Sequence, residues 1–533
     1  MAMKKSIVAV GVLAVLGGAW VGASWYTGKL IETQINQGLI EAKVQVNKYF
    51  PTANSNLTIA KYQRGIFSSQ IAYTVEVSVD PAAKVATDPV EVNADPATKE
   101  YVTINQNVSH GPFPLEKLSL VPKLAYSTIE LVNTESIKPL FDMSKGQSPL
   151  TVNALSSYDG STAVKLVVAP MEDKTAQDPA SALKFNGLTF DGTIVVEKDK
   201  NRFNFVSTPI ELTESGSSLN VNKMNLEGSI DNTTHVIDST LDIGDVVMNA
   251  VDEEKHQERY TFKDIALNGS VKNGKFDMNV GLANFKMKSF VQEVNGQSTL
   301  SVSDLTISSD VKEDDKNIDQ TLNTTVGNLT VANHNLGSGH MLLKMNQFDG
   351  NALRYINKNS NQISALLLNS AMGNSSASAL DDNQLMTQLM TFLEGNPTIA
   401  ISPLIWKNAK GESQLDMSLT LKRPESMNFT DIGQLAAQLI KQFSSTTHLS
   451  VPMIAEQAKM NSQAFDGMSA EEAQAAADMT VKDLIAMGTE MKTLTVQGDE
   501  LTSSFNYADG IIDLNGQKMP VEQFLQSLGM SGE

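Results

Sequence analysis

The chain has 533 residues, too many for one small domain and enough for roughly three to four packed units, or fewer if strands dominate. Lys and Arg number 41 against 60 Asp and Glu, a net charge of −19 that denies nucleic acid a positive docking field. Cysteine is absent, which excludes disulfides, thiolate nucleophiles, thiolate metal sites and a lipid-anchor cysteine.

Lys4 and Lys5 precede an uncharged apolar run from Ile7 to Tyr26, and about 20 such residues span the ~30 Å hydrocarbon core as a helix. A cleaved signal peptide is the rival reading, with Val21-Gly22-Ala23 as its small-residue site. Its apolar core is typically only about 7–15 residues. Trp20, Trp25 and Tyr26 crowd the far end as amphipathic rings do at a membrane–water interface. The expectation is an uncleaved transmembrane anchor over 7–26, with residues 1–6 kept cytoplasmic by the positive-inside rule. The bulk of the chain is then exported, which in a bacterium means a periplasmic body tethered to the inner membrane. Gly18 and Gly22 form a small-xxx-small pair that lets two helices approach, one route to the expected homo-oligomer, in the simplest case a dimer; the plainer reading of the pair is that glycine is common in membrane helices.

Ile31, Ile35 and Leu39 recur at helical spacing, predicting a juxtamembrane helix over 27–50. From Leu57 the period becomes two. Leu57 and Ile59, then Ile71, Tyr73, Val75, Val77 and Val79, alternate with polar residues across Arg64-Gly65, and predict half-buried strands in a β region spanning 51–180. Within it, residues 80–100 carry three Asp-Pro pairs among small polar residues and read as an exposed insertion.

Over 181–350 a short pattern recurs: Gly192-Thr193-Ile194, Gly228-Ser229-Ile230, Gly269-Ser270-Val271 and, degenerately, Ser309-Asp310-Val311, at spacings of 36, 41 and 40. Alternating apolar residues precede each copy, and a polar turn and a second alternating strand follow it. The unit is a pair of β-hairpin strands, repeated into a long antiparallel sheet. One face of such a sheet is apolar and has to meet helices, a second sheet, a partner chain or a lipid acyl chain. Residues 351–533 are mixed. Helices are predicted over Tyr355 to Met372, Leu380 to Leu393 and Ile432 to Phe443, strands over Ile399 to Trp406 and Leu415 to Leu421, a capping box at Ser469 and Glu472 before an Ala-rich helix, and a turn at Asn515-Gly516. The fold class is therefore α+β, dominated by strands: an N-terminal transmembrane helix, a long antiparallel sheet of repeated hairpins and a C-terminal α+β region.

Catalytic signals are weak. The six histidines are scattered, and HExxH, GxSxG, GxxxxGK[ST] and GxGxxG are all missing, so no catalytic residue, metal or cofactor is assigned. His334 and His340 flank a glycine-rich stretch that reads more simply as a hairpin turn than as a metal loop. The acidic pieces Asp252 to Glu258 and Lys312 to Asp319 lack calcium-loop spacing and read as solvated tips. In His110-Gly111-Pro112-Phe113-Pro114, two prolines and a glycine fix the backbone, making His110 and Phe113 candidates for partner contact if this is more than a rigid turn.

Several strings occur together in order: Trp25-Tyr26-Thr27-Gly28-Lys29-Leu30-Ile31-Glu32, Arg64-Gly65-Ile66-Phe67-Ser68-Ser69, His110 to Pro114, Lys138-Pro139-Leu140-Phe141-Asp142-Met143, Pro403-Leu404-Ile405-Trp406-Lys407-Asn408, and Tyr507-Ala508-Asp509-Gly510 with Leu514-Asn515-Gly516-Gln517-Lys518-Met519. In this the chain resembles the YdgA family of enterobacterial inner-membrane proteins along essentially its whole length. The resemblance implies a cell-envelope protein with no assigned reaction and a tendency to self-associate. It carries over no catalytic residue. Two functions follow as expectations: a membrane-anchored periplasmic scaffold that binds protein, itself included, and, as the alternative, a lipid-binding or lipid-transfer protein using an apolar β-groove.

Overall fold

The computed structural model describes residues 53–64, 68–79, 99–110, 121, 123–173, 183–251, 256–360, 362–364, 382–424 and 438–527. The expected anchor over 7–26, the helix over 27–50 and nearly all of the insertion at 80–100 lie outside the described residues. Among the described residues no helix is long and apolar enough to cross a membrane.

The chain forms two compact units, one from the residues up to Thr233 with Ser239–Lys255, the other from Thr234–Asp238 with His256 onward. The boundaries expected from the sequence are 180/181 and 350/351. Strand pairing bridges both, Val164 opposing Gly192 across the first and Met341 opposing Leu404 across the second, and a ladder of backbone hydrogen bonds holds its strands in one unit.

The first unit opens as a meander: β1 (Ala53–Arg64), β2 (Ser68–Val79), β3 (Lys99–His110), β4 (Ala125–Leu131), β5 (Leu150–Ser156) and β6 (Ser161–Val168), each antiparallel to the next. β7 (Met171–Glu172) and β8 (Lys184–Phe185) then pair together, while β9 (Leu188–Val196), β10 (Lys200–Ser207) and β13 (Met224–Asp231) extend the main sheet from β6. β11 (Ile210–Glu214), β12 (Ser217–Val221) and β15 (Val246–Val251) continue the ladder from β8. β14 (Ile237–Ile243) spans the division of the chain.

Two-residue alternation turns Leu57, Ile71, Tyr73, Val75, Ile104, Ile129, Val152, Val164 and Ile194 inward, and all are buried in one cluster. Helix α1 (Lys138–Met143), with proline in its first turn, adds Leu140 and Phe141 to that cluster. A polar chain crosses this core: Tyr73 Oη donates to Gln106 Oε1 at 2.8 Å, and Gln106 Nε2 donates to Ser127 Oγ at 2.9 Å. All three are buried, so the bonds satisfy groups that would otherwise carry a desolvation cost. The repeat glycine Gly192 opposes Phe205, and a Cβ there would lie 2.2 Å from the ring. The glycine therefore lets an aromatic side chain lie across the neighbouring strand.

The second unit is a longer meander of β16 (Gln257–Asn273), β17 (Asn279–Val294), β18 (Gln297–Glu313), β19 (Asn317–Val331), β20 (His334–Asp349), β21 (Thr398–Asn408), β22 (Gly411–Leu421) and β23 (Ile440–Ser450), each antiparallel to its predecessor. β23 also pairs with β25 (Glu500–Ala508), whose other edge carries β24 (Thr495–Gln497) and β26 (Ile511–Leu514); β27 (Gln517–Pro520) follows on β26. Here the repeat has a plain geometric cause. Gly269 on β16 and Ser309 on β18 both oppose Ala283 on β17, so one period is two long strands and their turns.

Helix α2 (Gly350–Lys358) is capped by Asp349, whose carboxylate accepts from the Ala352 amide. It precedes α3 (Asp382–Glu394), α4 (Val451–Phe465), α5 (Ala470–Glu490) and the short α6 (Val521–Ser527). The capping box of Ser469 and Glu472 is present at the start of α5. The expected helix over Ile432 to Phe443 is overturned in its last turn, because Ile440–Phe443 belong to β23. Ser444-Ser445-Thr446-Thr447 follow directly, poor helix formers that pair on both sides, with β22 and β25. The rest of that segment up to 437 lies outside the described residues.

Two outcomes test the first unit. Burial, and secondarily the neighbouring Tyr62, push the Tyr73 phenol well above its ordinary 10.0. An acid whose folded value is raised contributes stability that is full below the unfolded value and lost as pH climbs through and beyond it. Unfolding free energy should therefore fall above about pH 10, with part of the loss removed in Tyr73→Phe; absorbance titration at 295 nm should show one phenol that ionises only on unfolding. Gly192→Ala forces a methyl into the Phe205 ring and should cost about 1–3 kcal/mol, read as a lowered urea midpoint.

Candidate functional site

The registers of the second unit line up side chains in rows across the sheet. Phe262, Phe290, Val302 and Leu329 face one another on β16 to β19, as do Ile265, Met287 and Leu305 on β16 to β18. A third row runs Leu267, Phe285, Ile307, Thr324, Met341, Leu404 and Leu415 over seven strands. Phe262 and Ile265 are three residues apart, as are Val302 and Leu305, and an uninterrupted pleat would put them on opposite faces.

A break between them resolves this. Asp264 and Asp304 adopt left-handed backbone, φ 49° and 50°, a region Asp tolerates better than other side chains. Lys288 lies between these strands with Nζ 3.6 Å from Asp264 Oδ2, and on β19 a Cβ on Gly327 would come 2.8 Å from Asp304 Cβ. A transverse line of one glycine and three charged residues thus resets the alternation, and the apolar rows on either side share one face. The Phe262 and Phe290 rings meet at 4.8 Å.

This face is only partly covered. Phe262, Ile265, Phe285, Phe290, Leu305, Ile307, Leu322 and Leu343 are half-buried, Leu267 is 40 % exposed, and Met287 is buried. Two polar side chains among the rows, Ser309 and Gln320, satisfy each other through Gln320 Nε2 at 3.1 Å. The longer helices lie to one side, α2, α3 and α4 against β20 and α4 also against β21 to β23, while α5 packs on α4 and β24. Trp406 stands on the face beside Gly339, where a Cβ would meet the ring at 2.5 Å, and its indole N–H donates to the Leu336 carbonyl at 2.8 Å. The opposite face is polar: Asn284 Nδ2 donates to Asn268 Oδ1 at 2.9 Å, and Ser308 Oγ donates to Asn284 Oδ1 at 2.6 Å.

One end of the apolar face is closed. Phe276, in the β16–β17 turn, is buried against Gly350 at the start of α2. Phe348 packs edge-on against Phe392 of α3 at 5.0 Å, with Ile318, Ala352, Leu385 and Leu393 buried. At the opposite end, by the turns at Asn295-Gly296 and Ala332-Asn333, Tyr260, Val294, Leu300 and Val331 are half-buried.

The residues expected to make contacts fare differently. Ile7, Gly18, Trp20, Gly22, Trp25, Tyr26 and Phe113 lie outside the described residues. His110 ends β3 opposite Ala125. His334 and His340 both sit on β20, so the glycine-rich stretch between them is strand rather than turn, and His340 Nε2 pairs with Asn323 Oδ1 at 2.9 Å. Among the described residues no three His, Asp or Glu cluster as a metal site would require. The acidic tip at 313–317 is tied inward: Asp314 Oδ1 accepts from the Asn317 and Lys316 amides at 2.6 and 2.7 Å, which holds its carboxyl below the usual range, and Lys275 pairs with Asp315 at 2.6 Å. The break at Asp264 and Asp304 was missed in the sequence, although its signal is there in the switch of apolar positions from even (260, 262; 300, 302) to odd (265, 267; 305, 307).

Fold and site together define a strand-dominated protein of long antiparallel sheets whose most distinctive described surface is apolar. The chain belongs to the family described as bacterial protein of unknown function (DUF945), whose profile matches residues 3–249 and 202–522. It is 30% identical over 540 residues to Protein YdgA of Escherichia coli K12, covering 99% of this chain and 97% of that one. It is 23% identical to the uncharacterized protein YihF of the same organism, over 99% of both. An uncharacterized Haemophilus influenzae protein is 25% identical over 66% of this chain and 84% of its own length. No solved structure matches.

The break predicts its own mutational signature. Asp304→Val places a β-branched residue at positive φ and should cost about 1–2 kcal/mol, read as a lowered urea midpoint, whereas Asp304→Gly should leave that midpoint unchanged or raise it.

Proposed function

We propose that this chain is a protein of the bacterial envelope, tethered to the inner membrane by Ile7 to Tyr26 with its bulk in the periplasm, and that it binds lipid acyl chains on the apolar face of the second unit. The observation that carries this reading is the contrast between the two sheets. Over β1 to β6 the inward face of the first is sealed, Leu57, Tyr73, Val75 and Val152 being at most 2 % exposed. The apolar face of the second is half-buried across its central strands.

Energetics favour such an occupant. Removing roughly 300 Å² of apolar surface from water returns about 7–8 kcal/mol gross at ~25 cal/mol per Å², and an acyl chain asks for no hydrogen bond in return. The alternative of a self-associating scaffold draws on Gly18 and Gly22, and the apolar face is the more specific observation.

Trp406 provides the test. The chain has three tryptophans, so Trp20→Phe with Trp25→Phe leaves it as the sole emitter in the full-length protein. In micelles of a detergent brominated along its alkyl chain, its fluorescence should fall at least twofold relative to the unbrominated detergent. Leu267→Asp with Ile307→Asp should largely restore it while circular dichroism stays unchanged. Equal emission in both detergents would refute acyl binding on this face.

A further inference from the structure

We infer that the apolar face is a blind groove that takes a membrane lipid tail-first, the methyl end of the chain toward the Phe276–Phe348 plug and the polar head left near the Asn295-Gly296 and Ala332-Asn333 turns. This rests on the acyl-binding reading above and adds a direction to it.

The plug sets that direction. Phe276 fills the end of the groove at β16 and β17 against Gly350, where the ring lies 2.3 Å from the site of a Cβ and so leaves that helix start no room for a side chain. The Phe348 and Phe392 rings do the same at β20. Asp349 ties the two together, capping α2 through the Ala352 amide at 2.9 Å, while the Gly350 amide donates to the Lys316 carbonyl at 2.9 Å. The far end has half-buried Tyr260, Val294, Leu300 and Val331 beside polar, exposed turn residues Asn295, Gly296 and Asn333.

A head group carries charge that is costly to bury, and the buried side chains at the plugged end are aromatic and aliphatic apart from the capping Asp349, while the charged Lys275, Asp315, Asp277 and Arg354 there are exposed and already paired with one another. On the groove floor Ser309 and Gln320 already bond to each other, and the ladders consume the strand amides and carbonyls, which disfavours a peptide and suits a hydrocarbon tail. A source lies within the same chain, since the residues before Ala53 include the apolar run expected to sit in a bilayer. A groove closed at one end holds a lipid; it cannot pass lipids from end to end.

Depth-resolved quenching reads the direction. In full-length protein carrying Trp20→Phe, Trp25→Phe and Trp406→Phe, a single reporter is placed by Phe285→Trp, toward the plug, or by Phe290→Trp, toward the open end. Both are on β17, five residues or ~17 Å apart. The probes are phosphatidylcholines brominated near the carboxyl or near the methyl end of one chain, in nanodiscs. Methyl-end bromines should quench Phe285→Trp at least twofold more than carboxyl-end bromines, with the order reversed for Phe290→Trp. The same order at both reporters, or the inverse at each, would overturn the tail-first direction and leave acyl binding standing. No quenching at either would overturn acyl binding itself.

Discussion

The antiparallel ladder governs this molecule, because it spends the backbone polar groups of each strand on its neighbours and leaves side-chain alternation to decide what each face meets. Where one face is apolar, something has to cover it. The first unit solves the problem internally. Its meander buries Tyr73 and Val75 in one cluster with Leu140 and Phe141 of α1 and accepts a polar chain of Tyr73, Gln106 and Ser127 in the core, each member bonded to the next. The second unit has longer strands and places α2, α3 and α4 over one side of its sheet, against β20 to β23. That unequal coverage gives the protein its distinctive surface.

Much of the strand order was legible because period-two patterning is a local signal. Leu57, Ile71, Tyr73 and Val75 alternate in the sequence and are buried in the structure. The capping box at Ser469 reflects contacts within four residues, and the Asn515-Gly516 turn likewise sits between β26 and β27. The failures share a different cause. Ile440 to Phe443 fit a helical stripe when read alone, and became strand because β22 and β25 offer a ladder on both sides. Pairing partners such as β6 and β9 are likewise chosen across distances that no window of sequence spans.

The transverse break is the most instructive miss. Asp264 and Asp304 look like ordinary solvent-facing acids in alternating strands, and each alone would be unremarkable. Their meaning comes from register, which aligns them across β16 and β18 with Lys288 between and Gly327 alongside. Left-handed backbone in mid-strand costs energy in almost any residue with a Cβ. Its recurrence at the same level of β16 and β18, the two strands that flank β17, points to a common correction of phase, which keeps Phe262 and Ile265 on one side. Without it, each strand would carry half of its apolar residues to the polar face and the sheet would have no amphipathic surface.

Partial coverage of a large apolar face is a hazard, since exposed apolar patches of this kind drive aggregation unless they are used. Several features limit that hazard. The reverse face is carpeted with Asn, Ser and Thr, among them the bonded Asn268, Asn284 and Ser308; the break line carries Asp264, Lys288 and Asp304; and the net charge of −19 opposes close approach of two copies. That repulsion is long-ranged and weak against a neutral molecule. A hydrocarbon chain meets no such barrier and has no polar group to leave unsatisfied. The acyl chain proposed as its occupant is neutral and demands no hydrogen bond, so it fits both features of a surface built from residues whose individual chemistry is entirely ordinary.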